Sequence, residues 1–331
     1  MTNKDPLWIT EADVVKLVSL RDAIPALERG LAQESTGQAL NMAKTHASWN
    51  QDKSTLHAIG AVMEGNGVIG TKTWAHTPGG ACPLLILFSS ETGALLAVIE
   101  AFALGQMRTA GISGVATRWM AEQNADDMAL IGTGKQAMAQ VAGVFAVRSL
   151  KRLRVFSPNQ ANRVAFIDKA RKQFPFEINE ATSVEQAVQD ASIVTLVTRA
   201  REPFLSSAMV KAGSHINAVG AITRERQEFT QDIFGRSNLI AVDSLDSVQR
   251  LSSEFIEQFG QDTVRWKQVQ PLSALVARGT GRPSGTDLTL FKAMGMGLSD
   301  VSLGVEILAQ ARTAGAGRSI PAPVKAQARL V

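Results

Sequence analysis

The feature that most constrains the fold of this 331-residue chain is the stretch MALIGTGKQA at residues 128–137. It joins an apolar strand, a tight glycine turn and the start of a helix. Gly132, Gly134 and Ala137 fit the spacing G-x-G-x-x-G/A, in which the first glycine allows the turn, the second lets the main chain approach a pyrophosphate, and the small third residue permits close helix–strand packing. The pattern predicts a dinucleotide-binding turn, with the helix N-terminus facing the phosphates; a plain tight turn is the alternative.

The residues around this turn alternate between strand and helix patterns. Apolar strand segments recur at MALIG, RLRVFS, IVTLVT, HINAVG and NLIAVDS, with helical segments between the first of them. This alternation predicts parallel βαβ units and therefore a Rossmann domain. Residues 40–100 differ, because short β-rich runs are separated by NQDK, EGNG, TPGG and SETG, which are typical of hairpins. We expect a mainly antiparallel sheet there.

Composition limits the classes of protein that remain. The chain is 45% hydrophobic and 19% charged, as globular proteins are, and its one cysteine, Cys82, excludes an internal disulfide framework. No segment approaches the about 18 consecutive apolar residues of a membrane span, and no signal segment is visible, so we expect a cytoplasmic protein. The basic segment from Arg148 to Lys172 is either a solvated helix face or part of a nucleotide phosphate site. Neither nucleic acid, a membrane nor a metal is an expected partner.

The strand after the glycine turn indicates which dinucleotide is bound. It ends at VFSPNQANR and lacks the acid that usually binds the ribose hydroxyls of NAD. Ser157 stands at the expected place, and Ser157, Asn159 and Arg163 can donate hydrogen bonds to a 2′-phosphate. We therefore predict NADPH as the cofactor, with NADH as the alternative.

Several segments together resemble the ornithine cyclodeaminase/mu-crystallin family over nearly the whole chain: GVIGTKTW, AFALGQMRTAGISGVATRWMA, IGTGKQA, HINAVGA, IAVDS and GRPSGTDLTLFKAMGMGLSD. The resemblance implies an α/β fold with two domains. Residues 1–120 and 301–331 would form a mixed α+β substrate-binding and dimerisation domain, and residues 121–300 a Rossmann NAD(P)-binding domain. It also implies a homodimeric oxidoreductase that acts on a C–N bond of a small imino or amino acid.

The same resemblance implies roles for individual residues. Arg108 in RTAG matches the family's carboxylate-binding arginine, whose planar guanidinium suits a carboxylate. Lys72 in GTKTW matches a lysine that can pair with the carboxylate or donate a proton. Lys44 stands where the family has a second carboxylate-binding arginine, and His46 and His57 are either proton carriers or structural. The expected cofactor-binding residues are Gly132, Thr133, Gly134, Gln136, Ala137, Ser157, Asn159, Arg163, Thr109, Thr198 and Val219.

Ile222 departs from the family pattern. Cyclodeaminases and archaeal alanine dehydrogenases carry an aspartate directly after the VGA motif, whereas this chain reads INAVGAITRERQEF. Isoleucine cannot transfer the protons that cyclodeamination requires. The sequence therefore favours NADPH-dependent reduction of a cyclic α-imino acid, pyrroline-2-carboxylate or piperideine-2-carboxylate, to proline or pipecolate. The alternatives are an alanine-dehydrogenase or opine-type amine oxidoreductase, an ornithine cyclodeaminase, and a non-enzymatic NADPH-binding protein.

Overall fold

The computed structural model describes residues 5–51 and 53–331. The chain divides into two compact units, which we call unit 1 (Met1–Gly105 with Met296–Val331) and unit 2 (Gln106–Gly295). The sequence placed these boundaries after residues 120 and 300. The first differs because helix α3 (Phe102–Met120) is bonded along its second part to unit 2. Arg148 Nη2 donates to the carbonyl of Thr117 (2.8 Å), and Asn217 Nδ2 donates to Thr117 Oγ1 (3.0 Å).

Unit 1 contains, among its described residues, a nine-stranded sheet. Its strands are β1 (Leu7–Ile9), β2 (Ala39–Asn41), β3 (Thr45–Trp49), β4 (Ser54–Met63), β5 (Val68–Thr77), β6 (Gly80–Ala81), β7 (Leu84–Ser89), β8 (Leu95–Glu100) and β17 (Arg318–Ser319). Of the strand pairs described there, only β1–β8 is parallel. The antiparallel sheet predicted for residues 40–100 is therefore confirmed. Helices α1 (Glu11–Leu17), α2 (Leu20–Ser35) and α11 (Gly297–Ala314) complete the unit.

The apolar residues of 11–37 recur at helical spacing after Thr10, which predicts one helix that ends at Gly30 or Gly37. The structure has two helices there, because the chain carries two start signals. Thr10 and Asp13 form a capping box at α1, as the sequence indicates, with Asp13 N donating to Thr10 Oγ1 at 3.2 Å. Ser19 and Asp22 form a second capping box, which begins α2 after an extended residue at Val18. An N-cap residue has non-helical main-chain angles, so the second box interrupts what the apolar spacing alone reads as one helix.

Helix α11 packs against the sheet of unit 1. A Cβ atom at Gly297 would lie 2.0 Å from the carbonyl oxygen of Gly60, so glycine is needed where the helix begins against β4. Leu298, Val301 and Leu303 are buried along the helix. This close approach places Asp300, in the first turn of α11, beneath the strand that carries Lys72.

Unit 2 contains, in the described part of the chain, an eight-stranded sheet whose neighbouring strands are all parallel. These strands are β9 (Asp127–Ile131), β10 (Arg152–Phe156), β11 (Glu177–Glu180), β12 (Ile193–Leu196), β13 (His215–Ala218), β14 (Ser237–Val242), β15 (Val269–Pro271) and β16 (Leu288–Lys292). The helices are α4 (Ala137–Phe145), α5 (Gln160–Arg171), α6 (Val184–Val188), α7 (Asp232–Arg236), α8 (Leu245–Leu251), α9 (Ser253–Phe259) and α10 (Leu272–Arg278). The strand order is β11-β10-β9-β12-β13-β16-β14-β15, which reverses direction at β9, as in doubly wound folds.

The basic segment that begins at Arg148 uses much of its charge inside unit 2. Arg148 is buried, and its guanidinium donates to the carbonyls of Glu122 (2.9 Å), Thr117 and Ala121, which closes the C-terminal end of α3. Arg154 pairs with Asp127 at 2.9 Å. These contacts make Arg148 and Arg154 structural supports of unit 2, whereas Lys151, Lys169, Arg171 and Lys172 are exposed to solvent. No helix in the described residues is long and apolar enough to cross a membrane.

Candidate functional site

The glycine turn after β9 has the geometry that the motif predicts. Gly132 adopts φ +109°, and a Cβ atom there would lie 2.7 Å from the carbonyl oxygen of Val197, so only glycine fits. At Gly134, by contrast, a Cβ would meet no described protein atom within 4 Å. The packing of the protein therefore requires the first glycine but not the second. The main chain at Gly134 is therefore open to close approach by a ligand.

Helix α4 begins directly at this turn, with Ala137 fully buried and Thr133 and Gln136 half-buried before it. Gln136 is the N-cap and makes no side-chain capping bond to any described residue. Ala137 N donates to the carbonyl of Gly134 at 3.0 Å, so it is the next N–H groups of the first turn that can face an anion. The buried Gln136 Oε1 also accepts no hydrogen bond within the described chain. A helix N-terminus with these groups fits a pyrophosphate.

The end of β10 brings Ser157, Asn159 and Arg163 together. Asn159 is the N-cap of α5, accepting from Asn162 N at 2.9 Å, and Ser157 is buried. Arg163 is also buried: its guanidinium donates to the carbonyl of Ser157 and pairs with Glu180 at 2.7 Å. Arg163 thus holds the ends of β10 and β11 together. Its charge is shared with Glu180, which the sequence could not indicate.

The loops after β12 and β13 carry Thr198 and Val219. The carboxylate of Glu228 accepts from Thr198 N (2.7 Å) and Thr198 Oγ1 (2.8 Å), and Val219 N donates to the carbonyl of Leu196 at 2.9 Å. Ile222 is half-buried and packs against the apolar core of unit 2. The position that holds an aspartate in cyclodeaminases is therefore an apolar contact here, and it offers no group for proton transfer.

Arg108 and Thr109 lie on α3 in unit 2. A Cβ atom at Gly295, where φ is +85°, would lie 3.1 Å from Arg108 Nη1, so a glycine lets the guanidinium sit against the main chain. Thr109 accepts at its carbonyl from Gln140 Nε2 (3.3 Å), which fixes α3 to α4. These contacts define where the guanidinium of Arg108 stands within unit 2.

Asp243 is a site residue that the sequence analysis did not identify. Its carboxylate is buried and accepts from Met294 N (2.8 Å) and Gly295 N (2.7 Å), which holds the turn beside Arg108. Burial raises the pKa of Asp243, while those amides and the charge of Arg108 oppose the rise. An acid directly after the buried strand β14 was the available signal, because ligands bind at the carboxyl ends of parallel strands.

Lys72 is the centre of the candidate site in unit 1. Its side chain is 5% exposed, and Nζ pairs with Oδ1 of the fully buried Asp300 at 2.5 Å. The ammonium also stands 5.2 Å from the ring centroid of Trp74, two residues further along β5. The cation–π and ion-pair contacts together hold the ammonium in one orientation.

Lys44, His46 and His57 are brought close to one another in unit 1. In the strand register His46 pairs with His57, and His57 pairs with Trp74. Their rings stack, with centroids 5.6 Å apart for His46–His57 and 4.7 Å for His57–Trp74. Lys72 stands two residues before Trp74 on β5 and therefore points to the same face as that ring. Lys44, just before β3, is close enough to His57 for its charge to act on the imidazole.

This arrangement keeps His57 neutral. Burial lowers the pKa of His57 to about 4, and the charges of Lys44, His46 and His76 contribute to the shift. Its Nε2 atom lies 2.8 Å from Thr55 Oγ1. At neutral pH the imidazole therefore serves as a hydrogen-bonding and stacking group rather than as a cation.

The family model for the ornithine cyclodeaminase/mu-crystallin family matches residues 4–314. A Delta(1)-pyrroline-2-carboxylate reductase of Bacillus cereus is 25% identical over 95% of this chain and 99% of its own. An alanine dehydrogenase of Archaeoglobus fulgidus is 26% identical over 96% and 98%. These matches confirm the predicted family and the predicted class, an oxidoreductase that acts on a C–N bond.

A solved structure gives the same result for the fold. The Delta(1)-pyrroline-2-carboxylate reductase of Thermococcus litoralis, in complex with NADH and L-proline, matches with a TM-score of 0.87 and 26% identity, covering 95% of this chain and 100% of that one. The predicted α/β class is thereby confirmed. Relatives of this kind bind a nicotinamide cofactor, NADH in that complex.

Proposed function

Because the chain belongs to the ornithine cyclodeaminase/mu-crystallin family, we propose that it is an NADPH-dependent reductase of cyclic α-imino acids. Its substrates would be pyrroline-2-carboxylate or piperideine-2-carboxylate, and its products proline or pipecolate. The observation that carries this choice within the family is Ile222, which packs into an apolar core where a cyclodeaminase needs a carboxylate. Reduction of a preformed imine needs a carboxylate clamp, a protonated nitrogen and a hydride, and no acid at that position.

Each group of residues has its own role in the proposed reaction. The turn at Gly132–Gly134 and the N-terminus of α4 would bind the pyrophosphate. When bound, the reduced nicotinamide supplies the hydride. The guanidinium of Arg108, held against Gly295, would bind the α-carboxylate of the substrate. Lys72, oriented by Asp300, would pair with a carboxylate or donate the proton to the imine nitrogen, with Lys44 as a further cation beside His57.

The preference for NADPH is proposed from the end of β10. Ser157 stands where NAD-binding domains place an acid, and Asn159 and Arg163 lie within the next helical turn. Glu180 shares the charge of Arg163, so the strength of the preference depends on how far that ion pair yields to a 2′-phosphate. This makes Glu180 the residue that tunes the cofactor preference.

A panel of substrates tests the proposal. NADPH oxidation would be followed with pyrroline-2-carboxylate, piperideine-2-carboxylate, and pyruvate with ammonia, and ammonia release would be followed with ornithine and catalytic NAD⁺. We expect the cyclic imines to be reduced and ornithine to release no ammonia. Robust ammonia release without imine reduction would overturn the proposal. Tight NADPH binding with no turnover of any substrate would favour a non-enzymatic role.

An alanine dehydrogenase is the second candidate, because the relative from Archaeoglobus fulgidus matches nearly the full length at 26% identity. Turnover of pyruvate with ammonia that exceeds turnover of both cyclic imines would favour it. Both candidates use the same C–N chemistry, so the panel separates them by substrate rather than by reaction.

We also propose that the protein is a homodimer formed through unit 1. Leu40, Met42, Trp49 and Leu56 are exposed on and beside neighbouring strands β2, β3 and β4. A set of apolar side chains on one part of a sheet is typical of a protein interface. Light scattering should give a dimer mass, and Leu56→Lys should shift it towards the monomer.

A further inference from the structure

Glu228 joins two loops at the carboxyl ends of adjacent parallel strands. It is fully buried in the segment that follows β13, and its carboxylate accepts bonds from both loops. Oε1 accepts from N and Oγ1 of Thr198, after β12, at 2.7 and 2.8 Å. Oε2 accepts from Gly220 N (2.9 Å) and Ala221 N (3.1 Å), after β13. One side chain therefore fixes the position of both loops.

The two loops touch at Gly220, where no larger residue fits. A Cβ atom there would lie 2.1 Å from the carbonyl oxygen of Thr198 and 2.4 Å from Glu228 Oε1. The loops can therefore move apart only if the hydrogen bonds of Glu228 break. Their relative position depends on a carboxylate rather than on apolar packing alone.

A second layer of charge supports Glu228. Lys292, at the end of β16, is fully buried and pairs with Glu254 at 3.2 Å, and Glu254 Oε1 accepts from Glu228 N at 3.2 Å. Burial raises the pKa of Glu228, and the charge of Lys292 lowers it. Three of the four groups around the carboxylate are main-chain amides, two of them bound to Oε2. Main-chain amides can only donate, and the ionised form offers lone pairs to all of them. Ionised carboxylates make the stronger bonds.

The loops that Glu228 fixes are those to which the sequence assigned Thr198 and Val219 as cofactor contacts. In open doubly wound sheets, ligands bind outside the carboxyl ends of the strands. The glycine turn after β9 would serve the pyrophosphate, and the end of β10 the adenosine ribose. The loops after β12 and β13 lie on the other side of β9 in the sheet order, towards β16. They are therefore left to hold the nicotinamide half.

We propose that Glu228 is a positioning residue for the nicotinamide half of the cofactor. It acts through the main chain of Thr198, Gly220 and Ala221, which it holds in the conformation that binds that half, and it does not touch the reacting atoms. This inference rests on the proposed cofactor-dependent function. Preorganised loops bind without a further ordering cost, so loss of the carboxylate should weaken only the part of the cofactor that these loops contact.

Glu228→Gln tests this directly. The amide has the shape of the carboxylate, but its NH₂ group faces donors and cannot accept from them. Dissociation constants would be measured for NADPH, for 2′,5′-ADP as the adenosine half, and for reduced nicotinamide mononucleotide as the other half. We expect about tenfold weaker binding of NADPH and of the mononucleotide, as loss of charge-assisted hydrogen bonds predicts. Binding of 2′,5′-ADP should stay within about twofold of wild type.

Glu254→Gln is the matched control. It is the same substitution in the same buried network, but Glu254 contacts neither Thr198, Gly220 nor Ala221 in the described contacts. Glu254→Gln should lower the stability of the protein, but it should not weaken binding of the mononucleotide more than binding of 2′,5′-ADP. Equal weakening of all three ligands in Glu228→Gln, or the same split in Glu254→Gln, would overturn the proposal. So would wild-type affinities in Glu228→Gln.

A second variant and the choice of binding assays keep the test valid if Glu228→Gln does not fold or if no imine is reduced. If Glu228→Gln does not fold, Glu228→Asp keeps the charge on a shorter arm that cannot span both loops, and the same split is expected. The binding assays need no substrate, so they succeed or fail independently of imine reduction. If wild type prefers NADH, then NADH and ADP replace NADPH and 2′,5′-ADP. For a protein that reduces no imine, the binding split still decides the role of Glu228.

Discussion

Units 1 and 2 each bury a lysine against a carboxylate, and the two pairs differ in what surrounds them. Lys72 pairs with Asp300 at 2.5 Å beside the ring of Trp74, on a face that also carries His46 and His57. Lys292 pairs with Glu254 at 3.2 Å, and its side chain and that of Glu254 are both fully buried. A buried ion pair alone does not indicate chemistry, because desolvation opposes the attraction in both cases. The groups that surround each pair therefore indicate whether it supports the fold or the substrate site.

The groups around Lys292 and Lys72 differ in kind. Around Lys292 the carboxylates of Glu228 and Glu254 are bound to main-chain amides, two hydroxyls and the ammonium, so the cluster holds loops in place. Around Lys72 the face continues into the half-buried rings of His57 and Trp74 and the exposed ring of His46. We infer that Lys292 serves the structure of unit 2 and that Lys72 serves the substrate.

The largest expected effect is on stability, from Lys292→Met. Its removal leaves Glu254 and Glu228 buried without their cation, and breaking such a pair typically costs about 3–5 kcal/mol. The free energy of unfolding would be measured by urea denaturation. The double variant Lys292→Met, Glu254→Gln should recover part of the loss, because one unpaired charge is also removed. A loss below about 1 kcal/mol would contradict the structural role.

Lys72→Met is the counterpart of that variant in unit 1. We expect a smaller loss of stability, because Asp300 lies in the first turn of α11, where the helix dipole favours negative charge. Imine reduction should fall by about 10²-fold, the lower end of what a placed proton donor contributes. If activity survives and stability falls as far as in Lys292→Met, the two pairs play the same role and the comparison fails.

Arg108 is a cation of unit 2 that we expect to serve the substrate. Arg108→Ala should lower kcat/KM for a cyclic imine by about 10²-fold or more, since loss of one partner of a buried charge pair costs about 2–5 kcal/mol. Arg108→Lys should already be poor, because the bidentate geometry is lost. Affinity for NADPH, measured by fluorescence titration, should change little. Near-normal imine reduction by a folded Arg108→Ala protein would place the clamp elsewhere.

Substitutions at the end of β10 should change the preference between NADPH and NADH, and this effect is smaller than those above. Arg163→Ala should raise the KM for NADPH about tenfold while that for NADH changes less, as expected for one charge-assisted phosphate contact. Glu180→Gln frees Arg163 from its ion pair and should strengthen the preference for NADPH. Steady-state kinetics with both cofactors would check the pair. Equal efficiency with NADPH and NADH in the wild-type enzyme would remove the basis for this prediction.

The smallest effect concerns pH. The pKa of His57 is lowered from its ordinary value of 6.5 to about 4, so between these values the unfolded chain binds a proton that the folded protein does not. Stability therefore rises with pH across this window and is lost as pH falls from 6.5 towards 4. His57→Gln should lose less stability than wild type on going from about pH 7 to about pH 5. Equal losses, measured by thermal melting at both pH values, would contradict the sign.

The sequence predicted the elements that local patterns specify. The strand–turn–helix at Gly132 was found because its glycines and apolar run lie next to each other in the chain, and Gly132 does need a positive φ. The antiparallel sheet was found from its hairpin residues. The break at Ser19 was missed, because a second capping box competes with a helical spacing that runs through it.

The residues that the sequence did not identify act across loops. Glu228, Asp243 and Lys292 bind groups that follow other strands, so no spacing in the chain indicates their partners. Arg163 was correctly placed near Ser157, but its ion pair with Glu180 depends on the pairing of β10 with β11. The candidate site was thus predictable where a motif or a family resemblance names a residue. Its supporting contacts needed the fold.

The discontinuity of unit 1 has a consequence for synthesis of the chain. Unit 2 is continuous over Gln106–Gly295, so all of it has been made before the ribosome reaches α11. Until then, the sheet of unit 1 lacks the buried side chains Leu298, Val301 and Leu303 that cover it. Domains generally fold as units while the chain emerges, and exposed apolar surface in a waiting segment favours aggregation. The part of unit 1 that precedes unit 2 therefore keeps an uncovered apolar face until α11 has been translated.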